Sequence, residues 1–378
     1  MKTAYFDNSA TTRMDPRVQE VLLTTLSTVY GNPSSPHAAG REARKIIEDS
    51  REQVAQALGV SDREILFTSG ATEANNLILR GVGEKNGKHI ITTQIEHPSV
   101  LEVCSFLEKE GWSITRLPVN DQGALLPSDV QKAITEETSL VSVMWANNEV
   151  GTVQPVEKLG KDRTYLLHSD AAQALGKVPV NVNEVDFLTL SGHKLHGPKG
   201  IGALYFRKGV PLHPLLFGGG QEFEKRGGTE NVALIAGFAT AVSLAVEELS
   251  KNRTAMEENR QRLMGMVTTI SICSVLGSEA ERLPNILNVC FEGVDAEALV
   301  LALDAEGVHV SSGSACSSLS TEPSHVLLAM GIPMNKAKTS VRFSIAVDTT
   351  REELDHLIEV LPKTVSRLRS YSEKKVDG

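Results

Sequence analysis

Lys194 stands in a setting that surface lysines rarely share. It follows an apolar run, Val185–Leu190, and a Ser191-Gly192-His193 turn, and it precedes Leu195-His196-Gly197-Pro198-Lys199-Gly200. Four other short apolar runs end in polar residues with chemical capacity. Glu64–Phe67 leads to Thr68-Ser69-Gly70-Ala71-Thr72-Glu73, and His89–Thr93 to Glu96-His97-Pro98. Leu140–Trp145 leads to Asn147-Asn148-Glu149, and Tyr165–His168 to Ser169-Asp170 with Gln173 close behind. Open α/β sheets bind ligands at the carboxyl ends of their strands, so these groups are predicted to converge on one edge. Taken singly, each has an ordinary explanation: a solvated lysine, a capping aspartate, a rim histidine. The joint pattern is what carries information.

The chemistry that wants this set is that of pyridoxal 5′-phosphate. It needs a lysine for a Schiff base, a carboxylate against the pyridine nitrogen and an anion site for the phosphate. Lys194 and Asp170 supply the first two. The loop Ser69-Gly70-Ala71-Thr72, opening a helical pattern, offers backbone N–H groups and the positive end of a helix dipole. His97 suits a ring that covers the cofactor face. The glycines after Lys194 would let backbone crowd a ligand. His193 and His196 lack a third ligand at metal spacing, so no metal is expected.

Those residues need a scaffold. Short apolar strands alternate with amphipathic helices over most of the chain, which predicts a mostly parallel sheet wrapped by helices. Ala43, Ile46, Ile47, Val54, Ala57 and Leu58 share a helical face that Gly59 should stop. Past residue 250 the texture changes: a charged helix around 257–262, a strand at Ile286–Phe291, and a helix through Leu354, Leu357, Ile358 and Leu361. Residues 371–378 read as a frayed polar tail. The expected organisation is a large domain over 14–250 and a smaller α+β domain from 1–13 and 251–378.

Composition narrows the function classes. The 378 residues carry a net charge of −9, with no basic run to recruit a polyanion, so nucleic-acid binding is not expected. The longest apolar stretch, residues 232–246, is short of a membrane span and includes Thr and Ser. The N-terminus lacks the apolar core of a signal peptide. Cys104, Cys273, Cys290 and Cys316 are far apart with no CxxC pair, which fits a reducing, cytoplasmic setting. Cys104, Cys273 and Cys290 have apolar neighbours and read as buried packing residues. Cys316 lies among Ser, Ala and Gly, the composition of an exposed loop, where a thiolate could reach in and attack.

With these residues in view, the chain resembles the cysteine desulfurases of the IscS/NifS type, class V aminotransferases of PLP fold type I. The resemblance runs nearly end to end. It rests on Phe6-Asp7-Asn8-Ser9-Ala10-Thr11-Thr12, Gly31-Asn32-Pro33-Ser34-Ser35, residues 67–73, Asn147-Asn148-Glu149-Val150-Gly151, Ser191-Gly192-His193-Lys194 and Ser311-Ser312-Gly313-Ser314-Ala315-Cys316. It implies an α/β fold, with a mostly parallel seven-stranded sheet between helices and a smaller α+β domain carrying a catalytic-cysteine loop at about 311–321. Residue by residue, it implies Lys194 as the Schiff-base lysine, Asp170 as the pyridinium partner and His97 as the stacking ring. Ala71, Thr72, Ser191 and His193 match the phosphate site, and Gln173 the partner of the phenolic oxygen. Asn148, Arg342 and Asn32 match the substrate site, and Thr229 the residue that reaches the neighbouring subunit's phosphate. The implied reaction converts L-cysteine to L-alanine and leaves a persulfide on Cys316, in a homodimer that passes sulfur to an iron–sulfur cluster scaffold protein or to tRNA thiolation.

Two features depart from that pattern. Phe223-Glu224 stands where Arg-Gly is usual after Gln221-Glu222, and the stretch 157–167 is a few residues short. The competing readings are a selenocysteine lyase or aminotransferase on the same scaffold, and a non-catalytic α/β protein. An NAD enzyme is weaker, because no GxGxxG follows an early strand.

Overall fold

The computed structural model describes residues 3–83, 87–161, 163–312 and 323–376, with side chains to residue 371. Cys316 and most of its loop therefore lie outside the described residues. The chain opens on a two-residue strand, β1 (Ala4–Tyr5). Seven strands then build the main sheet: β2 (Ile65–Thr68), β3 (His89–Thr93), β4 (Ser113–Leu117), β5 (Thr138–Ser142), β6 (Leu166–Asp170), β7 (Phe187–Ser191) and β8 (Gly202–Phe206). Their order is β2-β8-β7-β6-β5-β3-β4. All pairings are parallel except those of β8, which runs antiparallel to β2 and β7. The expected mostly parallel seven-stranded sheet is thus present.

Central strands β5 to β8 are buried along their whole length, which is why they read as continuous apolar runs. Polar residues within them are paired: the imidazole of His168 meets Ser142 Oγ at 2.8 Å and Thr189 Oγ1 at 3.1 Å. Strand β4 has the sequence SITRL and no apolar run. As an edge strand it is half solvated, so the sequence pattern misses it. The run expected at 140–145 is regular strand only over 138–142, although the chain beyond stays hydrogen-bonded to β6, Trp145 N donating to Asp170 O at 2.9 Å.

Helices cover both faces of the sheet. Ala38–Leu58 is capped by the His37 side chain and stopped by Gly59 at φ +70°, as the sequence predicts, and it packs against Val232–Glu247. Nine residues of Val232–Glu247 are buried, so its apolar character serves the core. Among the described residues no single helix is long and apolar enough to cross a membrane. The shortened stretch near 157–167 is closed by Arg163, whose guanidinium pairs with Asp186 at 2.7 Å, and by the Tyr165 hydroxyl on Leu159 O.

A second, antiparallel sheet runs in the order β12-β10-β9, from β9 (Cys273–Val275), β10 (Ile286–Phe291) and β12 (Ser340–Ser344). Strand β11 (Val308–His309) pairs in parallel with β1. The first residues of the chain therefore pack with its last third: Ala4 and Phe6 share a core with Leu263, Leu287, Phe343 and Leu357. The final helix runs Arg351–Val376, six residues into the stretch expected to fray. Residues 370–376 contain neither Gly nor a further Pro to stop it.

Candidate active site

At the carboxyl edge of the main sheet, Lys194, Gln173 and His193 gather around one short segment, Ser9 to Thr12. Lys194 follows β7 on a single turn, and its Nζ donates to Ser9 O and to Ala10 O, the latter at 2.8 Å. Gln173 Nε2 donates to Ser9 O at 2.9 Å. His193 meets Thr11 Oγ1 at 3.2 Å, and its backbone carbonyl accepts from Thr12. The glycines around Lys194 act differently from expectation. A Cβ on Gly197 would lie 2.8 Å from Gly192 O, and one on Gly192 would lie 2.8 Å from Pro198 O, so these glycines let the turn close on itself.

Asp170, at the end of β6, is buried, and its Oδ2 accepts from Asn75 Nδ2 at 2.8 Å. Its Oδ1 accepts from Ala172 N. His97 caps the helix Pro98–Lys109, Nδ1 accepting from Ser99 N at 3.1 Å. Burial lowers the His97 pKa against the pull of Asp170, and it pushes that of His193 down to about 4, helped by Lys194. Both rings are therefore neutral near pH 7.

The helix Ala71–Gly81 begins with an end suited to an anion. Gly70 is its N-cap, with φ +153° and no side chain to cap the first N–H groups of Ala71 and Thr72. Gly202 must stay bare here: its Cβ would sit 2.8 Å from Gly70 Cα. Thr72 is exposed at the same end, and Ser191 is buried at the end of β7. Glu73 holds the loop by accepting from Ser69 N and pairing with Arg226 at 2.9 Å.

Arg342 enters from β12. Its Nη1 donates to Asn148 O at 3.0 Å and its Nη2 pairs with Asp7 at 2.7 Å, joining the small sheet to this edge. Thr229 and Asn32 are exposed, and no hydrogen bond or ion pair among the described residues links either to the Lys194 cluster. Beside Thr229, the departing segment has a specific structure. Glu222, Phe223 and Glu224 take φ of +46°, +58° and +61°, and Glu222 is locked to the buried Arg51 at 2.6 Å. The Arg51 guanidinium lies between the rings of Phe67 and Phe223, 4.7 and 5.0 Å from their centres.

Sequence reasoning missed several members of this constellation. Asn75 lies three residues after Thr72, hence on the same helix face, and Ser99 is the residue an N-capping His97 would contact. The carbonyls of Ser9 and Ala10 carry no side-chain signal at all. Lys177 is fully buried behind Lys194, donating to Gln173 O at 3.0 Å, and burial lowers its pKa to about 7. Cys273, expected to be buried, is only half so, because it lies on a short edge strand.

The residues present fit pyridoxal phosphate. Gln173 Oε1 is buried without a protein partner, the helix end at Gly70 offers bare N–H donors, and an amine and a carboxylate stand at adjacent strand ends. This fold and donor set define a pyridoxal-phosphate-dependent enzyme of fold type I. The chain belongs to the class-V aminotransferase family, whose profile matches residues 4–357. It is 46% identical over 383 residues to a protein named cysteine desulfurase IscS from Dictyoglomus turgidum, covering 99% of this chain and 97% of the relative. A solved NifS-like protein superposes with a TM-score of 0.91 at 41% identity, covering 97% of this chain and 100% of the other. A structure described as SspA in complex with cysteine superposes with a TM-score of 0.82 at 35% identity, covering 92% and 100%.

Proposed function

We propose that this protein is a cysteine desulfurase, taking sulfur from L-cysteine onto Cys316 and releasing L-alanine. The observation that carries the reading is how the Cys316 segment is tethered. Just upstream, Ser311 pairs through its backbone with Arg342, and just downstream His325 Nε2 bonds the carbonyl of Glu96 at 3.0 Å, next to His97. Ser324 also binds the buried carboxyl of Glu149, beside Asn148, at 2.5 Å. A thiol ten residues or fewer from both tethers is within reach of the Lys194 edge.

In this reading Lys194 would hold pyridoxal phosphate covalently, with Asp170 for its ring nitrogen, His97 for its ring face and Gln173 for its phenolic oxygen. Ala71, Thr72, Ser191 and His193 would hold the phosphate, with Thr229 of one subunit completing the site of its partner in a homodimer. The bound cofactor supplies an electron sink that makes the carbon–sulfur bond of the substrate labile. Arg342, with Asn148 and Asn32, orients the substrate carboxylate. The Lys194 amine would hold or move a proton at Nζ. The neutral His97 ring can hold or release a proton at Nε2. The Cys316 thiolate attacks the substrate sulfur, an S–S bond forms as the C–S bond breaks, and the carbon that loses sulfur gains a proton to become the alanine methyl. L-cysteine and the Cys316 thiol give L-alanine and the Cys316 persulfide, with atoms balanced.

The same reading places the protein in the cytoplasm, where a free thiol persists, and gives it an iron–sulfur cluster scaffold protein or tRNA thiolation as its outlet. It also takes 14–250 as the large domain and 1–13 with 251–378 as the small one, supported by the separate core around Phe6, Leu287 and Phe343. The decisive experiment is Cys316→Ser. The variant should keep bound cofactor and its spectral change with L-cysteine, yet lose alanine production. Mass spectrometry of the wild type should find one added sulfur on the Cys316 peptide. Undiminished alanine output from the variant would overturn the mechanism. Mixing Thr229→Ala chains with Lys194→Ala chains tests the shared site: regained activity supports it, and a fully loaded monomer opposes it.

A further inference from the structure

Between Asp170 and His97 lie two buried polar side chains to which the chemistry above gives no part. Asn75 is fully buried, one turn into the helix that begins at Ala71. Its Nδ2 stands 2.8 Å from Asp170 Oδ2 and 2.9 Å from Ser99 Oγ, so both amide hydrogens are used. Turning the amide over would set Oδ1 against the carboxylate, two acceptors in contact, so the orientation is forced. Ser99 Oγ then already accepts from Asn75, and its own hydrogen goes to His97 Nδ1 at 2.8 Å. Ser99 N donates to the same ring nitrogen at 3.1 Å. Two donors on Nδ1 leave the proton of a neutral ring on Nε2.

We propose that Asn75 and Ser99 are positioning residues that form a hydrogen-bond relay, Asp170–Asn75–Ser99–His97, setting the carboxylate orientation and the imidazole tautomer together. The inference rests on the reading that Asp170 and His97 face the cofactor. In the relay each group has one role. Asp170 is acceptor only, Asn75 donates twice, Ser99 accepts once and donates once, and His97 Nδ1 accepts. The relay turns the Nε2–H edge away from the Pro98–Lys109 helix and holds Asp170 Oδ2 on its side toward Asn75. Asn75 Oδ1 is left buried without a protein partner, which suits a residue placed for its donors rather than for its own satisfaction.

The test uses holoenzyme labelled with ¹⁵N-histidine. Imidazole nitrogen NMR, with the His97 signals assigned by their loss in His97→Gln, should report the Nε2–H tautomer in the wild type. Ser99→Ala should mix in the Nδ1–H tautomer, and Ser99→Thr, which keeps the hydroxyl, should restore the wild-type pattern. In steady state, Asn75→Ala should lower kcat for alanine formation by about tenfold to a hundredfold, with KM nearly unchanged, the range for a lost positioning contact. It should also shift the pH midpoint of the bound cofactor's visible absorbance. An unchanged tautomer in Ser99→Ala, or a Ser99→Thr enzyme that matches Ser99→Ala, would overturn the relay. Should Asn75→Ala not fold, the Ser99 pair still decides. A wild type that makes no alanine from L-cysteine defeats the desulfurase reading alone, because the tautomer measurement is independent of turnover.

Discussion

Arg342 and Asp7 form an ion pair at 2.7 Å that ties the N-terminal segment to β12, with the guanidinium almost wholly buried. In the proposed reading, the group that would receive a substrate carboxylate therefore already has one. Its Nε is buried without a partner, an N–H donor available to an incoming anion. Replacing Asp7 with Asn removes the competing charge and should lower KM for L-cysteine severalfold. Arg342→Ala should raise KM by about a hundredfold, in keeping with the roughly 2–5 kcal/mol lost when one partner of a buried charge pair is truncated. Initial-rate kinetics on both variants checks this, and a higher KM in Asp7→Asn would show that the carboxylate serves the arginine rather than competing for it.

Three consecutive left-handed residues at 222–224 store strain that the Arg51–Glu222 pair holds in place. Glu224→Gly should stabilise the protein by about 1 kcal/mol, since glycine adopts that backbone freely. Arg51→Ala should destabilise it by about 3–5 kcal/mol, because Glu222 stays buried without its partner. Denaturant unfolding of the two variants gives both numbers, and their opposite signs are the diagnostic.

The cysteines should separate by reactivity. Burial pushes the Cys104 thiol up to about 12 and that of Cys290 to about 11. At pH 8 neither supplies thiolate, so brief iodoacetamide treatment of the native protein should label Cys316 first. Peptide mapping would show this. Preferential labelling of Cys104 would contradict its burial.

Glu96 gives a pH dependence of stability with a definite sign. Burial raises its pKa to about 8, from 4.5, while Thr93 and Met144 N hold the carboxyl. The folded state thus binds a proton that the unfolded state releases. The contribution is complete below pH 4.5 and is lost as pH rises through about 8, at a slope of no more than about 1.4 kcal/mol per pH unit. His168, lowered by burial to about 4, acts oppositely, its contribution present above 6.5 and lost as pH falls towards 4. Urea unfolding of apo wild type and Glu96→Gln at pH 5, 6.5 and 8 isolates the first effect. The difference between the two proteins should change steadily across that range, and a constant difference would refute a proton on Glu96.

Much of this architecture was legible along the chain. Buried strands announce themselves because both faces are apolar, and the lysine, aspartate and histidine follow such strands directly, so their shared edge was readable from order alone. The edge strand Ser113–Leu117 was not, since half of it faces solvent. The last helix was read as too short, because its exposed final turns carry no apolar stripe.

The sequence by itself determined the class of chemistry. An amine, a carboxylate, an imidazole and a glycine-opened helix, each placed after a strand, allow few other cofactors, and side-chain type and spacing are local properties. Tertiary structure decided what surrounds them. That Lys194 and Gln173 both bond the Ser9 carbonyl, that Arg342 meets Asp7 across 335 residues, and that Asn75 and Ser99 bridge Asp170 to His97 depend on segments distant in the chain. Backbone carbonyls carry no sequence signal, and an amide or hydroxyl reads as any polar residue until burial leaves it a single partner.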